Sequence, residues 1–322
     1  MHVVLTGSSG WLGRCLAPQL RAAGHTVLGL DVAPGEHTTV IGSVADRQAV
    51  AAAFAAAPVD AVIHAGALHK PDLARYPTQA FIDVNVTGTV NLLEAARAAR
   101  ASRFVFTSTT SLMISQAIRD ETAERAVWLD ERSGPLEPRN AYGATKLAAE
   151  ALCRVAWLEH RLPCLVLRTS RFFPEDDDTH TAPSGRNLKA NELLHRRLTV
   201  EDAAAAHVAA LHQASAIGFD TLIVSAPTPF TRDEAAALGR DAASVIERHF
   251  PDVQALYAQR GWTLPQRIGR VYDASRLERV LGFRCRTDFA AVLRALRDDA
   301  PLPFVHDPGF VSPAWSTGGR AA

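Results

Sequence analysis

Lysine is nearly absent from this chain: of 34 basic residues in 322, only Lys70, Lys146 and Lys189 are lysines, and the rest are arginines. A net charge of either sign is absent as well, because 34 acidic residues balance the 34 basic ones. That removes the electrostatic case for nucleic acid or an anionic membrane as the main partner. Cysteine is scarce, and Cys15, Cys153, Cys164 and Cys285 show neither C-x-x-C spacing nor close grouping. A disulfide framework or zinc site is therefore not expected, and no metal is predicted. No apolar run approaches the roughly 18 residues of a membrane span, and the opening His2-Val3-Val4-Leu5-Thr6 lacks the basic and then apolar pattern of a secretory leader. The expectation is a soluble cytoplasmic protein.

What is present is alternation. Val3 to Thr6 reads as a buried strand, Trp11 to Ala23 as a helix closed by Gly24, and Thr26 to Asp31 as a second strand. Ala61 to His64 and Phe104 to Thr107 repeat the strand signal, with a long helix from about Thr78 to Arg100 between them. A helix over Ala141 to His160 and a strand over Cys164 to Leu167 follow. Such alternation predicts an α/β fold, a doubly wound parallel sheet with ligands at the carboxyl ends of its strands. After Arg168 the regularity weakens. Residues 174 to 190 are polar and turn-rich, a helix from about Val200 to Gln213 and a strand over Thr221 to Ser225 rejoin the sheet, and a smaller, mostly helical lobe is expected up to about Asp298. The expected division is residues 1–170 with 200–226 as the dinucleotide-binding part, 171–199 and 227–300 as the substrate lobe, and 301–322, rich in Pro and Gly, as an extended tail or strap.

The chemistry begins at Gly7-Ser8-Ser9-Gly10-Trp11-Leu12-Gly13, directly after the first strand. Glycines between strand and helix let the backbone approach a pyrophosphate, and the helix start presents unpaired N–H groups to it. Asp31, 18 residues beyond Gly13, ends the second strand where a carboxylate can accept both adenine-ribose hydroxyls and repel a 2′-phosphate. No Arg or Lys follows within the next five residues, which favours NAD over NADP. Further on, one of only four tyrosines, Tyr142, precedes one of only three lysines, Lys146, by four residues. On a helix the two share a face one turn apart, and a phenol beside an ammonium is a candidate acid/base.

The Gly-x-x-Gly-x-x-Gly turn with Tyr142 and Lys146 resembles the short-chain dehydrogenase/reductase superfamily, and more narrowly its extended branch, the NAD-dependent epimerase/dehydratase family. His64-Ala65-Gly66-Ala67, Asn85-Val86-Thr87-Gly88-Thr89, Phe104 to Thr109, Val200-Glu201-Asp202, Tyr272-Asp273-Ala274-Ser275-Arg276 and Leu281-Gly282-Phe283 are similar to family segments along residues 1 to about 295. The resemblance implies a Rossmann-type sheet, NAD as cofactor, and Thr109, Tyr142 and Lys146 as the catalytic set. Thr109 would bind the reacting hydroxyl or ketone, Tyr142 would exchange its proton, and Lys146 would hold the nicotinamide ribose and lower the Tyr142 pKa. Cofactor contacts are implied for Gly7, Ser9, Gly10, Trp11, Leu12, Gly13, Asp31, Ser43, Val44, His64, Ala65, Gly66, Asn85 and Thr107, besides Tyr142 and Lys146. A homodimer through the helices around 78–100 and 141–160 is implied too.

The departures bear on substrate. Thr110-Ser111 follow Thr109 where family dehydratases carry an Asp-Glu pair, so 4,6-dehydration is not expected. Arg171 stands where many nucleotide-sugar epimerases have an Asn, and only 26 residues separate Phe173 from Val200, without a Gly-x-Gly segment for a nucleotide. A smaller sugar, a sugar acid or another secondary alcohol is then admitted beside a nucleotide sugar. Arg171, Arg186, Arg196 and Arg197 are candidates for a carboxylate or phosphate, and His69 and Ser108 are candidates for other substrate contacts. The expected function is NAD-dependent hydride transfer at a sugar-like alcohol or ketone, as an epimerase or a net dehydrogenase. A non-catalytic NAD-binding sensor is the alternative, against which retention of Thr109, Tyr142 and Lys146 argues.

Overall fold

The structure is a computed structural model in which residues 1–120, 123–176, 183 and 185–313 are described. Seven parallel strands form the central sheet: β1 His2–Thr6, β2 Thr26–Asp31, β3 Val40–Ile41, β4 Ala61–His64, β5 Arg103–Thr109, β7 Cys164–Thr169 and β8 Phe219–Val224. Their order is β3-β2-β1-β4-β5-β7-β8, and β6 Val127–Leu129 pairs separately with β9 Arg270–Tyr272. The fold is a doubly wound Rossmann-type sheet.

Side-chain alternation explains why both faces are covered. Val3, Leu5, Ile63, Val105, Leu165 and Leu167 point to one side, where helix α1 Trp11–Ala22 contributes Leu16 and Leu20 to the same core. Val4, Leu28, Leu30, Val62, Phe104, Phe106 and Val166 point to the other. Successive strand residues face opposite ways, so a strand buried on both sides must be apolar throughout. Helices α2 Arg47–Ala55, α3 Thr78–Phe81, α4 Gly88–Ala98 and, beyond the short α5 Gln116–Arg119, α6 Ala141–His160 cover that second face. After α7 Gly185–Glu192, helix α8 Val200–Ile217 lies beside α1 on the first face.

Two boundaries differ from the sequence expectation. Helix 78–100 is broken by a π-helical turn over Ile82–Thr87, and a turn of that kind frequently marks a functional position. Strand β8 begins at Phe219, two residues before the apolar run suggested, because parallel pairing to Cys164 extends it through Asp220. The C-terminal lobe, mostly helical, has its own core around Leu238, Ile246, Tyr257, Phe289 and Leu293. It is tied to the sheet by Asp202, whose carboxylate accepts from the backbone N–H of Arg286 and Thr287, each at 2.9 Å.

The strand order reverses between β1 and β4, which opens a crevice at their carboxyl ends. A glycine follows within two residues of each strand's end there, and a Cβ on Gly7, which has φ of 72°, would sit 2.8 Å from the Gly66 nitrogen. The acidic run from Glu175 continues into Asp177 and Asp178, which lie outside the described residues, as do Ser184 and the tail beyond Pro313.

Candidate active site

Two cavities meet at the carboxyl edge of the sheet. The first is a cleft running from Asp31, Ser43 and Val44 past Gly7, Gly10, Trp11 and Leu12 to Ala65, Gly66, Thr107, Tyr142 and Lys146. Helix α1 starts at its floor. Gly13 lies beneath rather than in it: a Cβ there would fall 2.0 Å from the Gly7 carbonyl oxygen, so the glycine lets the helix seat against the turn.

Asp31 carries the charge at the far end. Its carboxylate accepts from Ser9 N–H at 2.9 Å and Ala33 N–H at 3.1 Å. Burial raises its pKa, and backbone donors from Ala33, Ser9, Val32 and Gly10 oppose that rise. Among the described residues, no Arg or Lys lines this end of the cleft. The lining fits a dinucleotide with a free ribose diol: an acceptor stands at Asp31 and no cation is present for a 2′-phosphate.

Several expected cofactor contacts turn out to brace the cleft from behind. Ser9 sits in the glycine turn, but its hydroxyl donates to the Ala33 carbonyl at 2.8 Å and it is absent from the lining. His64 is 1% exposed and points away from the cleft. Its Nδ1 is 2.8 Å from Thr6 Oγ1, which accepts from Gly66 N–H, and its Nε2 is 3.1 Å from Thr89 Oγ1, which donates to the Asn85 carbonyl. That chain of donors makes it a neutral Nε2–H imidazole, and burial, followed by the charge on Lys146, drives its pKa well below the ordinary value. Asn85 likewise does not line the cleft. From the π-helical turn it clamps the backbone of Leu68, accepting from its N–H and donating to its carbonyl at 2.9 Å each, and donates to Thr145 Oγ1 at 3.1 Å.

At the near end stand the residues expected to be catalytic. Asn140 caps α6, accepting from Gly143 N–H at 2.9 Å, so Tyr142 and Lys146 occupy the first turns of a helix held in register. Thr109, at the end of β5, lies near enough to Tyr142 for its side chain to oppose a rise in the phenol's pKa. Lys146 is 3% exposed, with its Nζ 4.1 Å from the centre of the Phe106 ring. The expected depression of the Tyr142 pKa by Lys146 is not found. Burial pushes Tyr142 up to about 12, opposed by Thr109. Burial also pushes Lys146 down to about 7, opposed by Cys153 and Glu150. An ammonium that sits over an aromatic ring rather than at the phenol leaves both groups dominated by desolvation. Ser108, a substrate candidate, donates at 2.5 Å to Glu150, which is bound through both oxygens by Arg168, so its hydroxyl is committed below the site.

The second cavity opens on the other side of Tyr142. Thr109, Thr110 and Ser111 line it together with Arg119, Arg139, Arg171, Arg196 and Arg270, against the carboxylates of Glu175, Asp176 and Glu192. Burial, and then the charges of Arg119 and Arg270, lower the Arg139 pKa, so three guanidinium groups crowd one wall. Glu192 is buried, but Arg196, Arg197 and Arg171 outweigh that and hold its carboxyl below the usual range. Of the arginines expected at the substrate, Arg171 and Arg196 are brought here. Arg186 and Arg197 are not: Arg186 sits exposed on α7, and Arg197 is buried against Glu192.

Four residues belong to both cavities: His69, Tyr142, Thr169 and Phe173. They frame the passage where a substrate carbon and a cofactor ring would meet. His69 Nδ1 is 2.7 Å from Asp72 Oδ2, and its ring stacks on Phe173 with centroids 4.6 Å apart. Burial raises the Asp72 carboxyl, but the hydrogen bonds and charge of His69, helped by Arg75, hold it below its ordinary value. Asp72, Phe173, Arg139 and Arg270 were not foreseen. For Asp72 the signal was present in His69-Lys70-Pro71-Asp72, an i to i+3 capping pair.

A model of the NAD dependent epimerase/dehydratase family matches residues 3–220. The chain belongs to this family. With that membership and the fit of the cleft, its cofactor is NAD. Among relatives, the chain is 32% identical over 186 residues to L-arabinose 1-dehydrogenase (NAD(P)(+)) of Haloferax volcanii, an overlap covering 55% of this chain and 69% of that protein. It is 29% identical to UDP-glucose 4-epimerase 2 of Oryza sativa subsp. japonica, where the match spans 47% of this chain and only 40% of the relative. Among solved structures, a short-chain dehydrogenase/reductase superfamily protein from Agrobacterium tumefaciens with bound NAD superimposes with a TM-score of 0.65 at 24% identity, covering 93% of this chain and 98% of that one. That likeness bears on the fold. Sugar-modifying activities run through the relatives of this epimerase/dehydratase chain.

Proposed function

We propose that this protein is an NAD-dependent oxidoreductase acting at a secondary alcohol or ketone of a small sugar-derived substrate that carries a carboxylate or phosphate. The observation behind this reading is Tyr142, which lines both cavities, with Thr109 beside it in the outer one. Bound NAD supplies the hydride acceptor. The chain's own work is done around it. Thr109 fixes the reacting oxygen, and the Tyr142 hydroxyl gives up or takes the proton at that oxygen as charge develops. Lys146, its ammonium disfavoured by burial, lines the same cleft one turn further along α6. Phe173 and His69 close the passage against water.

The anionic substrate follows from the wall. Five arginines face three carboxylates in the outer cavity, and guanidinium groups bind carboxylate or phosphate through paired donors. The short loop after Phe173 leaves little chain from which to build a nucleotide pocket. We further propose a homodimer through the outer faces of α4 and α6, where Val155 and Leu158 are 43% and 53% exposed.

The test is a screen of aldoses, uronates, sugar phosphates and nucleotide sugars with NAD and NADP, followed at 340 nm. Reduction of NAD by an acidic sugar supports the reading, and activity confined to neutral sugars would overturn the anionic assignment. Product epimerised without net absorbance change would place the chain with the epimerases.

A further inference from the structure

The cofactor cleft has a wall that its sequence motifs do not supply. Ser312 and Pro313, about 300 residues after the glycine turn, line it beside Trp11 and His69. The segment reaching them is anchored at both ends. At the lobe side, Asp307 N–H donates to the Pro174 carbonyl at 2.9 Å. Beside that bond, Lys189 Nζ lies 2.8 Å from His306 Nδ1 and donates to the same Pro174 carbonyl. On the cofactor side, Phe310 packs edge-on against Trp11 with centroids 5.3 Å apart. The Arg14 guanidinium lies 5.7 Å from the Trp11 ring and 5.6 Å from the Phe310 ring. Beyond it, Ser312 Oγ stands 3.4 Å from His69 Nε2, on the ring edge opposite Asp72.

We propose that residues 305–313 form the outer wall of the NAD site, a strap from Pro174 and Lys189 to α1 that must leave Trp11 and His69 before the cofactor can enter or depart. This rests on the crevice between β1 and β4 being the NAD site. Trp11 opens the helix at the pyrophosphate turn and His69 stands at the passage beside Tyr142, so a chain touching both crosses the cleft along its length. The two distal contacts are of a kind that can open: one aromatic pair at the surface and one long hydrogen bond. The proximal anchors, with a buried lysine and a backbone bond, keep the strap near the cleft while it is open. An enzyme built this way exchanges NAD slowly, which suits chemistry that returns the hydride within one binding event as well as it suits a slow net dehydrogenase.

The test measures cofactor exchange without any substrate. NADH is bound to the full-length protein and displaced with excess NAD in a stopped-flow fluorimeter, and the dissociation rate is compared with that of Phe310→Ala, Ser312→Ala and a chain ending at Phe304. Phe310→Ala should raise the rate by roughly two- to tenfold, the range of one aromatic pair, and the shortened chain should raise it further. NADH binding too weak to measure in the shortened chain alone would equally make the strap part of the site. Unchanged rates in Phe310→Ala and in a shortened chain that still binds NADH would overturn the strap. If the shortened chain fails to fold, by circular dichroism, Phe310→Ala decides. Failure of the full-length protein itself to bind NADH would instead sink the assignment of the cleft.

Discussion

Glu150 and Arg168, a buried ion pair directly under the proposed catalytic residues, allow a magnitude to be worked out. Each side chain is 7% exposed, and Arg168 reaches both carboxylate oxygens, with Nε at 3.0 Å and Nη2 at 2.7 Å. Ser108 adds a third donor at 2.5 Å. Glu150→Gln preserves the volume and one acceptor but leaves a guanidinium charge uncompensated in the interior. Removing one partner of such a pair costs about 3–5 kcal/mol, and the retained acceptor argues for the lower figure. At roughly 2–4 °C per kcal/mol for a large domain, the midpoint should fall by about 6–12 °C. Replacing both partners, as Glu150→Met with Arg168→Met, removes the stranded charge and should restore most of the loss. Thermal unfolding followed by circular dichroism on the three proteins is the assay. A single variant within about 1 °C of the parent, or a double variant no better than the single, would refute the reasoning.

Other outcomes follow from the same geometry. Gly13→Ala places a Cβ 2.0 Å from Gly7 O and 2.7 Å from Ser8 Cα, both backbone, so the turn must open. NADH affinity by fluorescence titration should drop roughly tenfold or more, and unchanged affinity would contradict the packing role. Lys146 has a folded pKa near 7 against an ordinary lysine value of 10.5. Between those pH values the unfolded chain holds more protons, so stability should rise with pH across that window, and Lys146→Met should flatten the rise. Denaturant midpoints at pH 7 and pH 10 check this, and equal slopes in both proteins would exclude a desolvated Lys146. Light scattering should report twice the 34.7 kDa chain mass, falling to one chain in Leu158→Glu if α6 forms the interface.

What the sequence displayed clearly was whatever rests on local pattern. Strands such as Val3 to Thr6 read directly because burial on two faces makes them apolar without interruption, and the glycine turn reads because its spacing is set by contact between α1 and β1. The two-residue strand β3 and the β6 with β9 pair left no such trace: each is too short for a periodicity, and the second joins residues 127 and 270. His64 and Asn85 were drawn into the cofactor list by motif similarity, whereas in three dimensions their polar atoms are consumed in holding Gly66 and Leu68 in place. Arg197 was expected, with other arginines, at a substrate carboxylate or phosphate, but it does not line the outer cavity. It is 2% exposed, binds Glu192 at 2.8 Å, and donates to the Phe173 carbonyl, so it fixes the ring that stacks on His69. Convergence of residues 69, 173 and 312 on one passage is a property of the folded chain, and no spacing along the sequence encodes it.

The central claim is that Tyr142 moves the proton during hydride transfer. It is tested by comparing Tyr142→Phe with the parent protein on the best acidic sugar from the screen, measuring both NADH binding by fluorescence and turnover at 340 nm. The account predicts NADH affinity close to that of the parent and turnover lower by at least roughly a hundredfold, the usual contribution of a positioned acid/base. Turnover equal to the parent's would contradict it.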